Sequence, residues 1–470
     1  MLAKCVIIAD VNSHVSSDAS KGVVLLVATM ASFLFPFMGS AVNIALPSIG
    51  RELSLDAVTL GWVSTVYLLA SATFLVPFGR IADLHGRKRI FTYGIVIYTI
   101  SSFLSGIAGS AAMLISFRVL QGIGGAMIAG TAVALLTSVY PADETGKALG
   151  INVAATYAGL SLGPVLGGVL TQHFGWRSIF LINVPLGLVV IGIILWKLKG
   201  DWAEARGEKF DLAGSIIYSL ALVALVYGFT ILPAISGVWL IVAGVIGFSA
   251  FVRWEMKTRS PVLDINLFRN SRAFAFSNLA ALINYSATFA VAFLISLYLQ
   301  YVKGFEPQSA GLILVTMPAV QAIFSPAAGR LSDRIEPRVL ASAGMALTTA
   351  GLVLFTFLNR ETPLEFIMSG LILMGFGIAL FSSPNTNAVM SSAPRRAYGI
   401  ASATLATMRQ VGMVFSMGVA MLMFALYIGR VQITLEHYPL FLESMKTSFI
   451  IFAILCFGGI FASLARGKIR

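Results

Sequence analysis

The chain has 470 residues, of which 58% are hydrophobic and only 11% are charged, whereas soluble domains carry about 25% charged residues. This composition excludes an ordinary soluble protein and predicts an integral membrane protein. The net charge of +12 does not indicate a nucleic-acid partner, because the cations lie in short segments between apolar runs. Cysteines occur only at positions 5 and 456, and the four histidines do not cluster, so we expect no disulfide framework, no metal site and no cofactor.

The predicted elements are fourteen transmembrane helices, because a membrane span needs about 20 apolar residues. Residues 1–21 are mixed and polar and are predicted to form a cytoplasmic tail that is not cleaved. The apolar windows that follow are 22–47, 58–79, 90–109, 112–139, 147–171, 178–198, 211–232, 236–254, 273–301, 308–329, 338–358, 363–390, 397–428 and 447–465.

The distribution of Lys and Arg predicts the orientation of these spans. The tails and the loops after even-numbered helices hold 24 of them, and the loops after odd-numbered helices hold 6. Because cytoplasmic loops carry the excess of cations, both termini are predicted to be cytoplasmic. We expect a multi-pass protein of the inner (cytoplasmic) cell membrane, surrounded by the lipid bilayer and monomeric.

A charged loop, residues 79–89, separates the second and third spans and has the sequence GRIADLHGRKR. It resembles the signature G-x-L-A-D-x-x-G-R-K of the major facilitator superfamily, with Ile81 in place of Leu. The resemblance implies that this signature loop controls the conformational change. The candidate gating residues in it are Gly79, Arg80, Asp83, Gly86, Arg87 and Lys88.

A shortened copy of the signature loop returns at residues 329–334, and the run ALGI at 148–151 is matched by AYGI at 397–400. Gly79 and Gly150 are 71 positions apart, and Gly329 and Gly399 are 70 apart. The chain is therefore predicted to be an all-α membrane protein with two pseudo-symmetric six-helix bundles and two inserted helices. The predicted divisions are residues 1–21, 22–198, 199–272 (the insert with amphipathic connectors) and 273–466.

The fourth helix carries an arginine, Arg118, about two turns from its start, and Gln121 lies one turn further along the same face. A charge inside a span is costly and indicates a functional residue, although an arginine that reaches back to the outer interface would have the same pattern. The run R-x-x-Q-G is similar to the superfamily's motif on helix 4. The resemblance implies that Arg118 and Gln121 face the cavity and take part in proton coupling.

The fifth helix contains a glycine face, which we define as Gly159, Gly163 and Gly167, spaced four residues apart. Such faces let helix backbones approach closely, and a proline within the helix removes one backbone hydrogen bond and bends it. With Pro164 and Gly168, the face matches the pattern G-x-x-x-G-P-x-x-G-G. This pattern resembles the superfamily's antiporter motif, which implies export and a role in the conformational change.

Residues 43–47, 175–187 and 409–412 resemble the fourteen-helix drug:proton antiporter family. In that family, many members carry an Asp on helix 1 at the position of Met38. No span here contains an acidic residue in its central third, although a buried carboxylate is the usual proton carrier and counter-charge for a cation. Arg409, in the thirteenth span, is the second buried cation, and we count it with Arg118 and Gln121 as a coupling candidate.

Several polar or soft side chains are predicted to lie near the middle of the membrane. Each of them forms either part of a substrate cavity or a hydrogen bond between helices. The substrate-binding candidates are Met38, Asn43, Tyr67, Asn152, Tyr157, Asn278, Asn284, Tyr285, Asn385, Asn387, Met408 and Gln410, and Gln321 lies at a similar depth.

The function predicted from these patterns is export of hydrophobic or amphipathic small molecules by proton antiport, with rocker-switch alternating access. The alternatives are a facilitator, an importer, or a lipid or metabolite exporter of the same fold without classical proton coupling. A membrane sensor that does not transport would usually carry a further soluble domain. An enzyme is the least favoured class, because the sequence shows no nucleophile–base pair, metal cluster or phosphate-binding loop.

Overall fold

The computed structural model describes residues 2–198, 200–203, 210–258, 261–263, 265–394 and 398–467. Within these ranges the regular structure is entirely helical. The α-helices are α1 Leu2–Glu52, α2 Ala57–His85, α3 Arg87–Gly106, α4 Ala111–Val139, α5 Ala142–Phe174, α6 Arg177–Leu181, α7 Asn183–Lys197, α8 Leu212–Ile231, α9 Ile235–Glu255, α10 Ile265–Asn270, α11 Arg272–Leu297, α12 Pro307–Leu314, α13 Thr316–Ser332, α14 Pro337–Phe355, α15 Leu364–Ser391, α16 Tyr398–Tyr427 and α17 Tyr438–Ala465. A π-helical turn, Tyr298–Val302, continues α11.

Thirteen helical segments among the described residues are long and apolar enough to cross a membrane. In two of them, α6 with α7 and α12 with α13, a short break divides one span. The fourteenth predicted span is α3, whose first turn contains Arg87, Lys88 and Arg89 and so lowers its apolar character. The predicted all-α fold with two pseudo-symmetric bundles is confirmed.

The helices α1 and α17 begin well before their apolar windows. α1 begins at Leu2 and not near residue 22, because the polar residues 2–20 include no Gly or Pro that would end a helix. α17 begins at Tyr438 and not at 447, because Pro439 fits the first turn of a helix. Hydropathy therefore detects the membrane span but not the whole helix.

The same helix pairs pack together in both halves. In the first half α1 packs on α5, α2 on α4, and α3 on α4 and α7. In the second half α11 packs on α16, α13 on α15, and α14 on α15 and α17. These equivalent pairs define an N-terminal bundle, α1–α7, and a C-terminal bundle, α11–α17, related by pseudo-symmetry.

The two bundles meet through α1 with α11, α2 with α16, and α5 with α12. On the predicted outer side, the amide of Ala57 donates to the backbone oxygen of Val431 over 2.9 Å. The Ser296 hydroxyl donates to the backbone oxygen of Asn43 over 2.7 Å. These bonds hold the outer ends of the bundles together.

The inserted helices α8 and α9 pack on each other, and α8 also packs on α2 and α16. The Tyr218 hydroxyl donates to the backbone oxygen of Ala72 over 3.0 Å, and Phe229 meets Phe415 edge to face. The insert therefore covers one seam between the bundles from the side. Parts of its predicted amphipathic connectors, residues 199, 204–209, 259–260 and 264, lie outside the described residues.

Candidate substrate cavity and its gates

The signature loop packs within the N-terminal bundle. The Nε of Arg87 donates to Asp83 over 2.8 Å, and its Nη1 donates to the Ser138 hydroxyl on α4 over 2.5 Å. Arg87 is buried although it is charged. Asp83 thus helps to satisfy a buried cation in this conformation and makes this ion pair with its own bundle.

Asp201, in the segment after α7, binds the signature loop and was not singled out by the sequence. Its carboxylate accepts from the backbone amide of Lys88 over 3.0 Å. Gly86, with φ of 115°, lies directly against this carboxylate, so a side chain would clash there. No motif signals Asp201, because its role depends on a chain segment that folds back from 113 residues away.

The glycine face of α5 lies against α1. A Cβ atom at Gly163 would collide with the Ser40 hydroxyl and would lie 3.0 Å from the backbone oxygen of Phe37. At Gly167 it would lie 2.9 Å from the Cα of Ala41. The absence of side chains therefore allows the closest packing between two helices of the N-terminal bundle.

The other positions of the helix 5 motif face the C-terminal bundle. Gly168 lies against the backbone oxygen of Pro307, and Gly311 of α12 lies against the backbone oxygen of Pro164. The backbone amide of Gln308 donates to the side-chain oxygen of Gln172 over 3.1 Å. One face of α5 thus packs tightly on α1 of its own bundle. The neighbouring face of α5 packs on α12 of the opposite bundle and closes the outer seam.

Residues 175–177, part of the predicted family resemblance, join the outer ends of α1, α5 and α6. The Trp176 indole donates to Glu52 over 2.8 Å, and Arg177 forms an ion pair with the same carboxylate. The Arg177 guanidinium also stacks 4.3 Å from the Trp176 ring. These residues strengthen the outer end of the N-terminal bundle.

Arg118 is fully buried inside the N-terminal bundle, so the expectation that it faces the cavity is wrong for this conformation. Its Nε donates to the backbone oxygen of Val63 over 3.0 Å, and its Nη1 donates to Gln121 over 2.6 Å. Its guanidinium lies 4.2 Å from the centre of the Tyr67 ring. Carbonyl, amide and aromatic groups therefore surround the charge of Arg118. Met38 is also fully buried, and its side chain supplies no carboxylate to this bundle.

The structure separates the candidate polar residues into three groups. Gln410 and Tyr157 contact the opposite bundle with their side chains, through Ser71 and Ser382. Asn43 contacts it with its backbone oxygen, which accepts from Ser296, while its side chain accepts from Ser64 of its own bundle. Asn152, Asn278, Asn385 and Asn387 bond within their own bundle, to Ser32, Phe274, Ser277 and Ser332. Asn284 is fully buried, and its side-chain amide has no hydrogen-bond partner among the described residues, while Met408 is half-buried.

A cavity of about 640 Å³ lies between α5 and α13. Its lining is mostly small and apolar, with Ala154, Ala322 and Pro326 among its residues, and Tyr157 and Ser161 supply polar atoms. The lining residues of these helices run from about the middle of each span towards its predicted cytoplasmic end, over 150–161 in α5 (Ala142–Phe174) and over 319–329 in the span Pro307–Ser332. Because the outer seam is closed, this is an inward-open arrangement in the predicted orientation.

Arg409 lies on α16 near Tyr157, and both side chains are half-buried. Its Nη2 donates to the Thr386 hydroxyl on α15 over 2.6 Å, and its guanidinium lies 5.6 Å from the centre of the Tyr285 ring on α11. The Tyr157 hydroxyl lies 3.2 Å from that of Ser382. The three candidates Arg409, Tyr157 and Tyr285 are therefore brought together at one point between the bundles.

A model of the Major Facilitator Superfamily matches residues 28–417, and a second match covers residues 277–469. The chain belongs to this superfamily. It is 29% identical to the riboflavin transporter RibZ of Clostridioides difficile (strain 630), over 94% of this chain and 96% of RibZ. It is 33% identical to the multidrug resistance protein Stp of Mycobacterium tuberculosis (strain ATCC 25618 / H37Rv), over 82% of this chain and 73% of Stp.

The fold is also similar to that of a bacterial homolog of the human lysosomal transporter Spinster, solved in an inward-facing, unoccupied conformation. The TM-score is 0.71 at 16% identity, and the match covers 95% of this chain and 97% of the other. At this identity the likeness concerns the fold alone. Family and fold are those of membrane transporters, and superfamily members bind small-molecule substrates.

Proposed function

We propose that this superfamily member exports hydrophobic or amphipathic small molecules from the cytoplasmic side. The observation that carries the proposal is the open cavity of about 640 Å³ between α5 and α13, opposite a closed outer seam. Its volume is within the range of about 300–1,000 Å³ typical of sites for drug-sized ligands. Its small apolar lining suits ligands that are recognised mainly by shape and hydrophobicity.

Membership of the fourteen-helix drug:proton antiporter family and proton antiport are parts of the same proposal. The helix 5 motif supports them, because Gly168 lies at the outer seam that export would need to open, while Gly163 and Gly167 hold α5 close to α1 within the moving bundle. The relative Stp is named a multidrug resistance protein. Because the described residues include no buried carboxylate in the middle of a span, protons would be exchanged at carboxylates near the membrane surface, such as Asp83.

The relative RibZ favours a second candidate, transport of one heterocyclic metabolite without classical proton coupling, because that relative is named a riboflavin transporter. The same cavity would then hold a single planar ligand. The two candidates differ in the range of compounds transported and in whether protons move with them.

Transport by the purified full chain in proteoliposomes separates these candidates. Pyranine trapped inside reports proton movement when a fluorescent amphipath or riboflavin is added under an imposed pH gradient. Transport of several unrelated amphipaths, each with an opposite proton flux, is the expected result. Movement of riboflavin alone with no proton flux would replace the proposal by the second candidate, and liposomes without protein serve as the inactive control.

A further inference from the structure

The guanidinium of Arg409 is a half-buried positive charge that still has a hydrogen-bond donor without a partner among the described residues. Arg409 is eleven positions from the start of α16, or about 17 Å into the helix. Its Nη2 binds Thr386, but its Nε is shielded from solvent and has no hydrogen-bond partner among the described residues. A buried donor of this kind gains most from a ligand that can accept from it.

No described carboxylate balances this charge. Within their bounds, α11, α13 and α16 contain no Asp or Glu. On α15 the acidic residue is Glu365, in the first turn at the predicted outer end. On α5 the described acidic side chain is Glu144, near the predicted cytoplasmic end of the helix. Its carboxylate accepts a hydrogen bond from Lys21 over 3.0 Å.

Aromatic side chains flank the charge on both sides of the boundary between the bundles. Tyr285 of the C-terminal bundle lies beneath the guanidinium at 5.6 Å. Tyr157 of the N-terminal bundle lines the open cavity and contacts Ser382 across the seam. A ring held between these tyrosines would gain aromatic contacts and would touch both moving bundles.

We propose that Arg409, Tyr157 and Tyr285 recognise an aromatic amphipath through a negatively charged group, with the anion on Arg409 and the ring between the tyrosines. This inference rests on the proposed function and specifies its substrate class. An anion that leaves water regains a charge-assisted hydrogen bond at Arg409, whereas a cation would meet an uncompensated like charge. Among ligands of equal size, the site should therefore bind an anion most tightly, a neutral compound less tightly and a cation most weakly.

The test uses the full chain in lipid nanodiscs and three matched probes: naphthalene-2-carboxylate, naphthalen-2-ylmethanol and naphthalen-2-ylmethylammonium. Their affinities are measured by calorimetric titration at neutral pH. For the wild type, we expect the carboxylate to bind most tightly and the ammonium most weakly. Arg409→Gln should weaken carboxylate binding about tenfold and leave the alcohol nearly unchanged.

Two further variants keep the test decisive if Arg409→Gln folds poorly. Arg430→Gln removes the same charge from an exposed position just past the outer end of α16, and it should leave the order of affinities unchanged. Tyr285→Leu should weaken the carboxylate and the alcohol by the same factor, since it removes ring contact and not charge. Tightest binding of the ammonium by the wild type, or an unchanged carboxylate affinity in Arg409→Gln, would overturn the inference.

The transport assay keeps this inference distinct from the proposed function. Export of amphipaths by a protein that binds the ammonium best would leave the function standing and reject the anion site. Arg409-dependent binding of the carboxylate without export of any compound would support the site and reject the function.

Discussion

A Cβ atom placed on Gly168 of α5 would lie 2.6 Å from the backbone oxygen of Pro307, at the start of α12 in the opposite bundle. Backbone cannot yield as the end of a flexible side chain can, so only glycine fits at this contact. The contact lies on the predicted outer seam, which must separate if the cavity is to open outwards. Position 168 should therefore set the balance between the two conformations.

Gly168→Val should favour the outward-open conformation, because the added side chain collides with Pro307 only when the outer seam is closed. The population shift should be about tenfold, the size of a typical overpacking cost. The measurement is the labelling rate of Ala57→Cys, a buried seam position that bonds across the seam only through its backbone amide, in a background with both native cysteines replaced. Gly146→Val, where a Cβ meets open space, is the control. Equal labelling of both variants would contradict the expectation.

Gly163→Leu should abolish transport for a different reason. The new side chain would push α5 away from α1 within one bundle, at a cost of about 1–3 kcal/mol or more. Transport and thermal unfolding are measured together, and both should decline. Gly458→Leu adds the same volume where nothing lies within 4 Å of the Cβ and should behave as wild type. Normal transport by Gly163→Leu would mean that close packing on α1 is not required.

Asp83→Asn should lower transport about tenfold without lowering the amount of protein in the membrane. In the inward-open arrangement Asp83 bonds to Arg87 of its own bundle. We expect it to contact a helix N-terminus or a cation of the C-terminal bundle when the cytoplasmic ends close. Asp83→Glu, which keeps the charge, should retain more activity. Full transport rates in Asp83→Asn would show that the carboxylate does not hold the bundles together.

Removal of one tyrosine hydroxyl should have different effects in the insert and at the cavity. Tyr218→Phe loses the bond from α8 to α2, so stability should decrease by about 0.6 kcal/mol while substrate affinity stays constant. Tyr157→Phe, at the cavity, should change substrate affinity instead. Unfolding curves and ligand titrations of the two variants provide the comparison. Altered affinity in Tyr218→Phe would mean that the insert takes part in substrate binding.

The helix order, the pseudo-symmetry and the packing faces could be predicted from the sequence, because a membrane-spanning chain must form helices and repeated motifs reveal repeated units. The residues that meet at the site could not. The sequence predicts the same standing for Arg118 and Arg409, as buried coupling candidates, yet the first is enclosed by Val63, Gln121 and Tyr67 while the second lies near the cavity. Hydropathy fixes the depth of a residue in the bilayer but not the rotation of its helix.

The bond between the Lys88 amide and Asp201 also has a consequence for biogenesis. The two residues are 113 positions apart, and nearly all of α3 and the whole of α4 to α7 lie between them. While the ribosome is still producing those helices, the signature loop lacks the carboxylate against which Gly86 packs. The loop can take its final form only after the last helix of the N-terminal bundle has been made. A nascent chain that ended between residues 197 and 200 would carry every helix of that bundle and still have an unfinished gate.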